Sequence, residues 1–302
     1  MTHKSVLLNE VVDFFKDCSG IIVDSTLGLG GHSYELLKNN KNIQIIGIDR
    51  DVASLNFAKE RLSEFSTRFS CIKSNFSSGI KKIIEENQNI SGILADIGVS
   101  SPQFDNLERG FSFESESLDM RMDLDTTINA EIIVNSYSKD ELNRIFFEYG
   151  EIKNPNIYTK LILDYRKNKM ITSAREISNL IANNFKANSR IHPATLIFQA
   201  LRIEVNNELG ELRDFLKNIE NLKSTKIAII SFHSLEDRIV KETFKKWIKD
   251  CCCEANVMKC ECGNNNARGV IINKKPIIPT NSEIAYNRRS RSAKMRCFRF
   301  NE

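Results

Sequence analysis

Nothing in the 302-residue chain approaches the roughly 18 consecutive apolar residues of a membrane span, and residues 1–9 hold no apolar core of the kind a secretory signal needs. A cytoplasmic protein without membrane contact is therefore expected. No internal repeat is present, which excludes a solenoid, and only the asparagine-rich stretch "CGNNNARG" has the composition of a loose loop. Histidine is scarce: His3, His32, His192 and His233 are the only four, and no two stand at metal-ligand spacing. Charge of either sign is barely in excess, 43 Lys and Arg against 39 Asp and Glu, so bulk charge permits a nucleic-acid partner without demanding one. The eight cysteines, in a long chain without a signal, are expected as reduced thiols or metal ligands and not as disulfides.

What remains is a globular composition, 41% apolar, long enough for one large domain or two ordinary ones. The first third alternates short β-branched runs with amphipathic stretches: "GIIVDSTL", "IQIIGID" and "ISGILADIG" read as strands, "SYELLKN" and "VASLNFAKERLSEF" as helices. This is the pattern of βαβ units around a parallel sheet, whose ligands sit at the carboxyl ends of the strands. Past Arg109 strand-like runs give way to helices. Ser138 and Glu141 form a capping-box pair, as do Ser173 and Glu176, and one long helix is expected after Pro193 with Ile197, Leu201, Val205, Leu209, Leu212 and Leu216 as its stripe. Strand character returns in "TKIAIISFHS" and in the closing "KMRCFRF". Residues 109–206 thus read as a helical block inserted into an α/β pattern made of residues 1–108 and 207–302.

The most informative stretch is "DSTLGLGGHS", residues 24–33. A phosphate-binding loop needs a lysine after its last glycine, and Gly31 is followed by His32 and Ser33. A dinucleotide fingerprint starting at Gly28 lacks its third glycine, and the carboxylate of Asp24 would repel a pyrophosphate. S-adenosyl-L-methionine (AdoMet) tolerates a nearby carboxylate at its zwitterionic end and needs an acceptor for its ribose, which Asp49 supplies from the end of the next strand. The alternative is a tight turn with no ligand. A third strand ends at Asp96 and runs on through Ser100, Ser101, Pro102, Gln103 and Phe104. Methyl transfer to an exocyclic amine requires acceptors that orient a poorly nucleophilic nitrogen, and these residues offer acceptors, a rigid turn and an aromatic surface. Asp96 and the Ser100–Pro102 turn are read as orienting that amine. An ordinary proline turn with a buried Phe104 is the competing reading.

Further candidates concern the substrate. Arg109, Asp119, Arg121 and Asp123 either shape a base pocket or pair with one another. Gln199, Arg202 and Asn206 fall on one helical stripe, nearly free of lysine and glutamate, that suits a hydrogen-bonding surface. Arg288, Arg289, Arg291 and Lys294 lie in a segment without acidic residues and are either phosphate contacts or a solvated terminal strand. In "CCCEANVMKCECG", Cys251-x-Cys253 and Cys260-x-Cys262 leave zinc open, but the C-x-C gap is tighter than the usual metal-binding spacing, and reduced surface thiols are expected.

"HKSVLLNEVV", "DSTLGLGGHS", "GIDRD", "NFSS", "GILADIGVSSPQFDNLERGFSF", "LDMRMD", "YGE", "HPATLIFQALRIEVNNELGEL", "SFHSLEDRIVK" and "NRRSRSAKMR", taken in order, resemble the bacterial 16S rRNA (cytosine-N4)-methyltransferase family, known as RsmH or MraW. The resemblance covers nearly the whole chain. It implies a class I AdoMet-dependent α/β fold, Rossmann-like with a mostly parallel sheet, carrying an inserted α-helical domain for substrate recognition. It also implies N4 methylation of a decoding-region cytosine, position 1402 in the usual rRNA numbering, in the small ribosomal subunit, by a monomer or homodimer. Carried over by motif, the cofactor contacts are Gly30, Gly31, His32, Asp49, Phe76, Asp96 and Gln103, with Phe76 stacked on the adenine, and no metal takes part in the chemistry. His233, inside "SFHSLEDRIVK", joins Phe104, Arg109, Arg121, Gln199, Arg202, Asn206 and the three C-terminal arginines as substrate contacts. Leu29 departs from the family pattern and requires that its position keep a negative φ.

Overall fold

A computed structural model describes residues 5–86, 89–185, 192–251, 253 and 260–302. The chain forms two compact units, one from Met1–Gly98 with Gly210–Glu302, the other from Val99–Leu209. The changeovers fall at 98/99 and 209/210, not at the 108/109 and 206/207 read from the sequence. At the first, Val99 already packs on the helical unit's core, which the onset of helical periodicity at Arg109 does not reveal.

The first unit is built on seven strands: β1 Gly20–Asp24, β2 Ile43–Asp49, β3 Phe69–Lys73, β4 Ile90–Asp96, β5 Lys226–Ser231, β6 Gly269–Ile271 and β7 Lys294–Phe300. They lie in the order β3-β2-β1-β4-β5-β7-β6, with β1 to β5 parallel and β7 antiparallel to both β5 and β6. This is the mostly parallel, helix-covered α/β sheet that the family resemblance implied. The central strands bury both faces, and their side chains alternate between two cores. Ile22, Leu94, Ala228 and Ile230 join one core, shared with α1 Leu8–Phe15, α2 Gly31–Asn39 and α3 Val52–Arg61. Val23, Ile93, Ala95, Ile227 and Ile229 face the other, shared with α4 Phe76–Glu86, α11 Glu208–Ile219 and α12 Ser234–Trp247. α13 Asn281–Tyr286 precedes β7.

The second unit is helical: α5 Ser101–Asp105, α6 Ala130–Ser136, α7 Lys139–Glu148, α8 Asn156–Arg166, α9 Ala174–Asn184 and α10 Thr195–Asn206. Both expected capping residues are in place. Ser138 N donates to Glu141 Oε2 at 2.7 Å while Ser138 Oγ accepts from Glu141 N at 3.3 Å, and Ser173 Oγ accepts from Glu176 N at 3.1 Å. The long helix expected after Pro193 is two helices, because Asn207 takes φ 48° and turns the chain between α10 and α11. Asparagine is among the few residues that occupy the left-handed region readily, so helical spacing of apolar residues continues across a break that periodicity does not register. No helix among the described residues is long and apolar enough to cross a membrane.

Under β5, β6 and β7 four rings interlock. Phe244, Trp247, Phe298 and Phe300 have neighbouring centroids 5.0–5.4 Å apart, and Trp247 is 4% exposed. Trp247→Ala is expected to cost about 3–5 kcal/mol, the cavity-dominated range for a buried aromatic, in urea denaturation followed by circular dichroism. A loss under about 1 kcal/mol would show that the cluster collapses around the gap.

Candidate cofactor and substrate site

The parallel register brings the carboxyl ends of β1, β2 and β4 to one edge of the sheet, where Asp24 pairs in register with Gly47 and Leu94. The loop after β1 is tied to both neighbours: Leu27 N donates to Ile48 O at 2.9 Å, Ser25 N to Leu94 O at 2.8 Å, and Gly28 N to Asp49 Oδ2 at 2.7 Å. Gly28 and Gly30 take φ of 51° and 71°, and Leu29 stays outside the left-handed region, as its position required. A Cβ on Gly31 would run into the Ser5 hydroxyl, and one on Gly30 would press on Leu62 at 3.0 Å. Over Gly28 the space is open, the nearest atom to such a Cβ being Thr26 O at 3.9 Å. The glycines therefore do two things: Gly30 and Gly31 let α2 seat closely, and Gly28 leaves room for a ligand.

Three carboxylates line this edge, each in a different state. Asp24 is 1% exposed and accepts from Ser33 Oγ at 2.6 Å; burial pushes its carboxyl up to about 6 against the lowering effect of that bond. Asp49 accepts from Gly28 N on one oxygen and from Asp51 N at 2.8 Å on the other, so its plane is fixed while each oxygen keeps a second lone pair. Burial raises it as well, opposed by those two backbone bonds. Asp96 is also pushed up to about 6, first by burial, with His32 opposing and Asp24 and Glu236 reinforcing. Its Oδ1 is buried and has no hydrogen-bond partner among the described residues. An acceptor stripped of water and left without a donor is costly, and a ligand N–H would relieve that cost.

His32 stands beside Asp96. Its Nε2 lies 2.8 Å from Val6 O, which can only accept, so Nε2 carries a proton and donates. Nδ1 is thereby directed at Asp96 Oδ2, 4.0 Å away. His233, expected against substrate, turns inward instead. Its Nδ1 accepts from Glu236 N at 3.4 Å as the N-cap of α12, and its Nε2 sits 3.1 Å from Glu236 Oε1. Phe76, expected to stack on an adenine, is 7% exposed and packs edge-on against Phe215 at 5.2 Å, leaving little of its ring to offer.

Several of the residues expected to meet substrate through the helical unit are engaged within it. Arg121 makes a two-point bond to Asp119 at 2.8 and 2.7 Å and donates to Leu124 O and Thr126 O; Arg109 donates to Arg121 O at 2.9 Å. Of the two readings left open, pairing is the one found. Burial alone would raise the Asp119 carboxyl, but the Arg121 bonds hold it below its usual range. The stripe on α10 also faces inward: Gln199 donates to Tyr149 O at 2.8 Å and Arg202 grips Glu208 at 2.8 and 2.9 Å. Asn206 holds Met120 O and Met122 N, each at 2.8 Å, fixing a segment in which Met120 takes φ 60°. These polar groups satisfy an irregular chain, a demand that spacing along a helix does not express. In the turn before α5, Ser100 N donates to Gln103 Oε1 at 3.2 Å, so Gln103, assigned to the cofactor, has its oxygen engaged in that turn. Ser100 Oγ is buried without a partner among the described residues, Pro102 lies in the first turn of α5, and Phe104 is 38% exposed. The side chain of Ser101 lies outside the described residues.

At the C-terminus Arg288, Arg289 and Arg291 are exposed along a 3₁₀ turn. Arg296 is buried against Asp237 at 2.6 Å, and the half-exposed Lys294 reaches the same carboxylate at 3.7 Å.

The chain matches the model of a family described as "MraW methylase family" over residues 1–301. A protein named ribosomal RNA small subunit methyltransferase H from Nitratiruptor sp. is 49% identical over 302 residues, 99% of each chain. Proteins of the same name from Campylobacter curvus and Helicobacter pylori are 50% and 48% identical, over 98% and 99% of this chain and 97% of theirs.

Carboxyls raised by burial make a signed pH prediction. Asp24 holds its proton longer folded than unfolded, so its contribution to stability is full below about pH 4 and is lost as pH rises to about 6, roughly 3 kcal/mol in all. In Asp24→Asn that loss is absent. Urea titrations are expected to show the variant gaining on the wild type between pH 4 and pH 6, with a constant difference above; a difference independent of pH would overturn the assignment.

Proposed function

The chain belongs to the MraW methylase family, and we propose on that premise that it transfers the methyl group of AdoMet to N4 of a cytosine in 16S rRNA, position 1402. Its substrate is the decoding-region rRNA of the small ribosomal subunit. The observation that carries this reading is Asp96 Oδ1, a buried acceptor without a donor among the described residues, at the carboxyl end of a central strand.

The edge suits AdoMet on chemical grounds. It offers three carboxylates, open space over Gly28, and, among the described residues, no lysine or arginine bonded to Asp24, Asp49 or Asp96. A cationic group carrying ribose hydroxyls is welcome there and a pyrophosphate is not. The residues that would hold it are Gly28, Gly30 and Gly31 through their backbone, and Asp49 through the lone pairs its two backbone bonds leave over. When bound, AdoMet supplies an electrophilic methyl carbon on a sulfonium.

The rest is work for the protein's own groups. Asp96 Oδ1 accepts a hydrogen bond from the exocyclic amine, which turns the nitrogen lone pair out of conjugation and toward its target. As the new N–C bond forms, the nitrogen becomes cationic and must lose a proton. A carboxylate raised to about 6 is ionised at neutral pH yet more basic than an ordinary one, which suits Asp96 to receive it. His32, held by Val6 O, is fixed beside Asp96 with its Nδ1 4.0 Å from Oδ2. Ser100, Ser101 and Pro102 follow Asp96 after three residues of chain and are proposed to help orient the amine, with Phe104 as a stacking surface. The helical unit serves substrate recognition, and Arg288, Arg289 and Arg291 bind phosphates.

Labelled AdoMet incubated with undermethylated small subunits is expected to place label on N4 of the decoding-region cytosine. Asp96→Asn should lower the single-turnover rate by about 10²–10⁴ with AdoMet affinity within a few-fold, and the wild-type rate should rise with pH to a plateau above about 6. Label on another nucleotide, or none on subunits or naked RNA, would overturn the substrate. Replacing Arg288, Arg289 and Arg291 together by alanine should weaken RNA binding and flatten its log–log salt dependence by about 1 for each phosphate that an arginine had neutralised. An unchanged slope in filter binding would remove these arginines from the interface.

A further inference from the structure

The segment between α12 and β6 carries a cluster that methyl transfer does not use. The Sγ atoms of Cys251, Cys253, Cys260 and Cys262 all lie within 4.8 Å of one another, with Cys260 and Cys262 at 3.5 Å and Cys262 and Cys251 at 3.8 Å. Four thiolates around one zinc at about 2.3 Å form a tetrahedron whose edges are about 3.8 Å. The sulfur spacing is that of a single-metal shell. An iron–sulfur cluster distributes its cysteines over several irons and spreads the sulfurs wider.

We propose that Cys251, Cys253, Cys260 and Cys262 bind one zinc ion as a closed, structural four-thiolate site. Two C-x-C pairs are adequate for this because the fold brings all four sulfurs within 4.8 Å of one another, so each pair can supply two ligands. The surroundings favour it. Glu261 N points at Cys253 Sγ at 3.4 Å, the kind of backbone N–H that tempers thiolate charge. Gly263 and Asn264, with φ of 80° and 53°, turn the chain sharply after the last ligand. Asn266 N and Nδ2 both bond Asp250 O, and Arg268 N bonds Trp247 O at 2.7 Å, so both ends of the segment are pinned where the thiols meet.

Its place in the fold indicates its role. α12 starts beyond the carboxyl end of β5 and runs back along the sheet to Trp247; Gly269 of β6 pairs with Phe300, at the end of β7 away from Lys294 and Ser231. The thiol cluster thus sits at the edge of the sheet opposite Asp24, Asp49 and Asp96. It fastens α12 to β6 and stands apart from the reacting atoms.

Protein purified without chelator should contain one zinc per chain by plasma mass spectrometry, released by a mercurial thiol reagent and captured by a chelating dye. X-ray absorption at the zinc edge should show four sulfurs at about 2.3 Å. Cys251→Ser with Cys260→Ser should lose the metal and lower the thermal midpoint while AdoMet affinity stays within about twofold. Should that variant fail to fold, the wild-type metal content and absorption spectrum decide alone. Metal well below one equivalent after zinc-supplemented expression, nitrogen or oxygen in the shell, iron in place of zinc, or a mass showing disulfides among these cysteines would each overturn the site. None of these outcomes depends on the substrate assigned above.

Discussion

Parallel strands in register end together, and here three of them end in carboxylates. Asp24, Asp49 and Asp96 are brought to one edge by the same hydrogen-bonding that holds β1, β2 and β4 side by side. Like charges so placed are unfavourable, and the usual remedy would be an arginine or lysine among them. The chain uses weaker means instead: a serine hydroxyl on Asp24 and two backbone N–H groups on Asp49. Asp96 is left with one oxygen that no described residue satisfies. The unrelieved negative potential is what makes the edge receptive to a cationic cofactor and to an amine, so electrostatic strain and binding capacity have a single origin.

That origin also explains the glycines. With Asp49 already committed to Gly28 N, the loop after β1 is drawn toward β2, and only residues without side chains allow α2 to begin so close to Ser5 and Leu62. A ligand above Gly28 then meets backbone on one side and carboxylates on the other. Specificity against phosphates follows from what the loop withholds as much as from what it presents.

Much of this was legible in the sequence, because it is written in local pattern. The β-branched runs of β1, β2, β4 and β5, the glycine turn and the strand-end acids appear where they were read, and capping chemistry located α7 and α9. β3, "FSCIK", and β6, "GVI", were not read: one is an edge strand with a polar alternation, the other three residues long. Where the structure adds ties that the sequence did not show, they share a cause. Gln199, Arg202 and Asn206 were read as a surface and are ties to the interior; Arg109 and Arg121 hold an irregular loop; His233 caps a helix and Phe76 lies in the core. Periodicity tells which residues share a face, but what that face meets is decided by chain far away in sequence, and a backbone without regular hydrogen bonds recruits polar side chains that would otherwise look functional. For the cysteines, a spacing rule discounted residues whose sulfurs the fold gathers within 4.8 Å of one another.

The split of the first unit has a consequence for how it is made. β4 ends at Asp96 and its partner β5 begins at Lys226, with the helical unit encoded between them. On the ribosome, β1 to β4 emerge first, and the apolar edge of β4 must then wait about 130 residues for its neighbour, a delay of roughly 7–26 s at ordinary synthesis rates. A half-built parallel sheet with an open inner edge is a template for wrong partners throughout that interval. The intervening unit has a core of its own, from Phe111 to Leu201, and can condense while the sheet is still incomplete. The nascent chain thus carries one finished body and one unfinished one, and its yield in the cell depends on how well the latter is kept from its neighbours until β5 arrives.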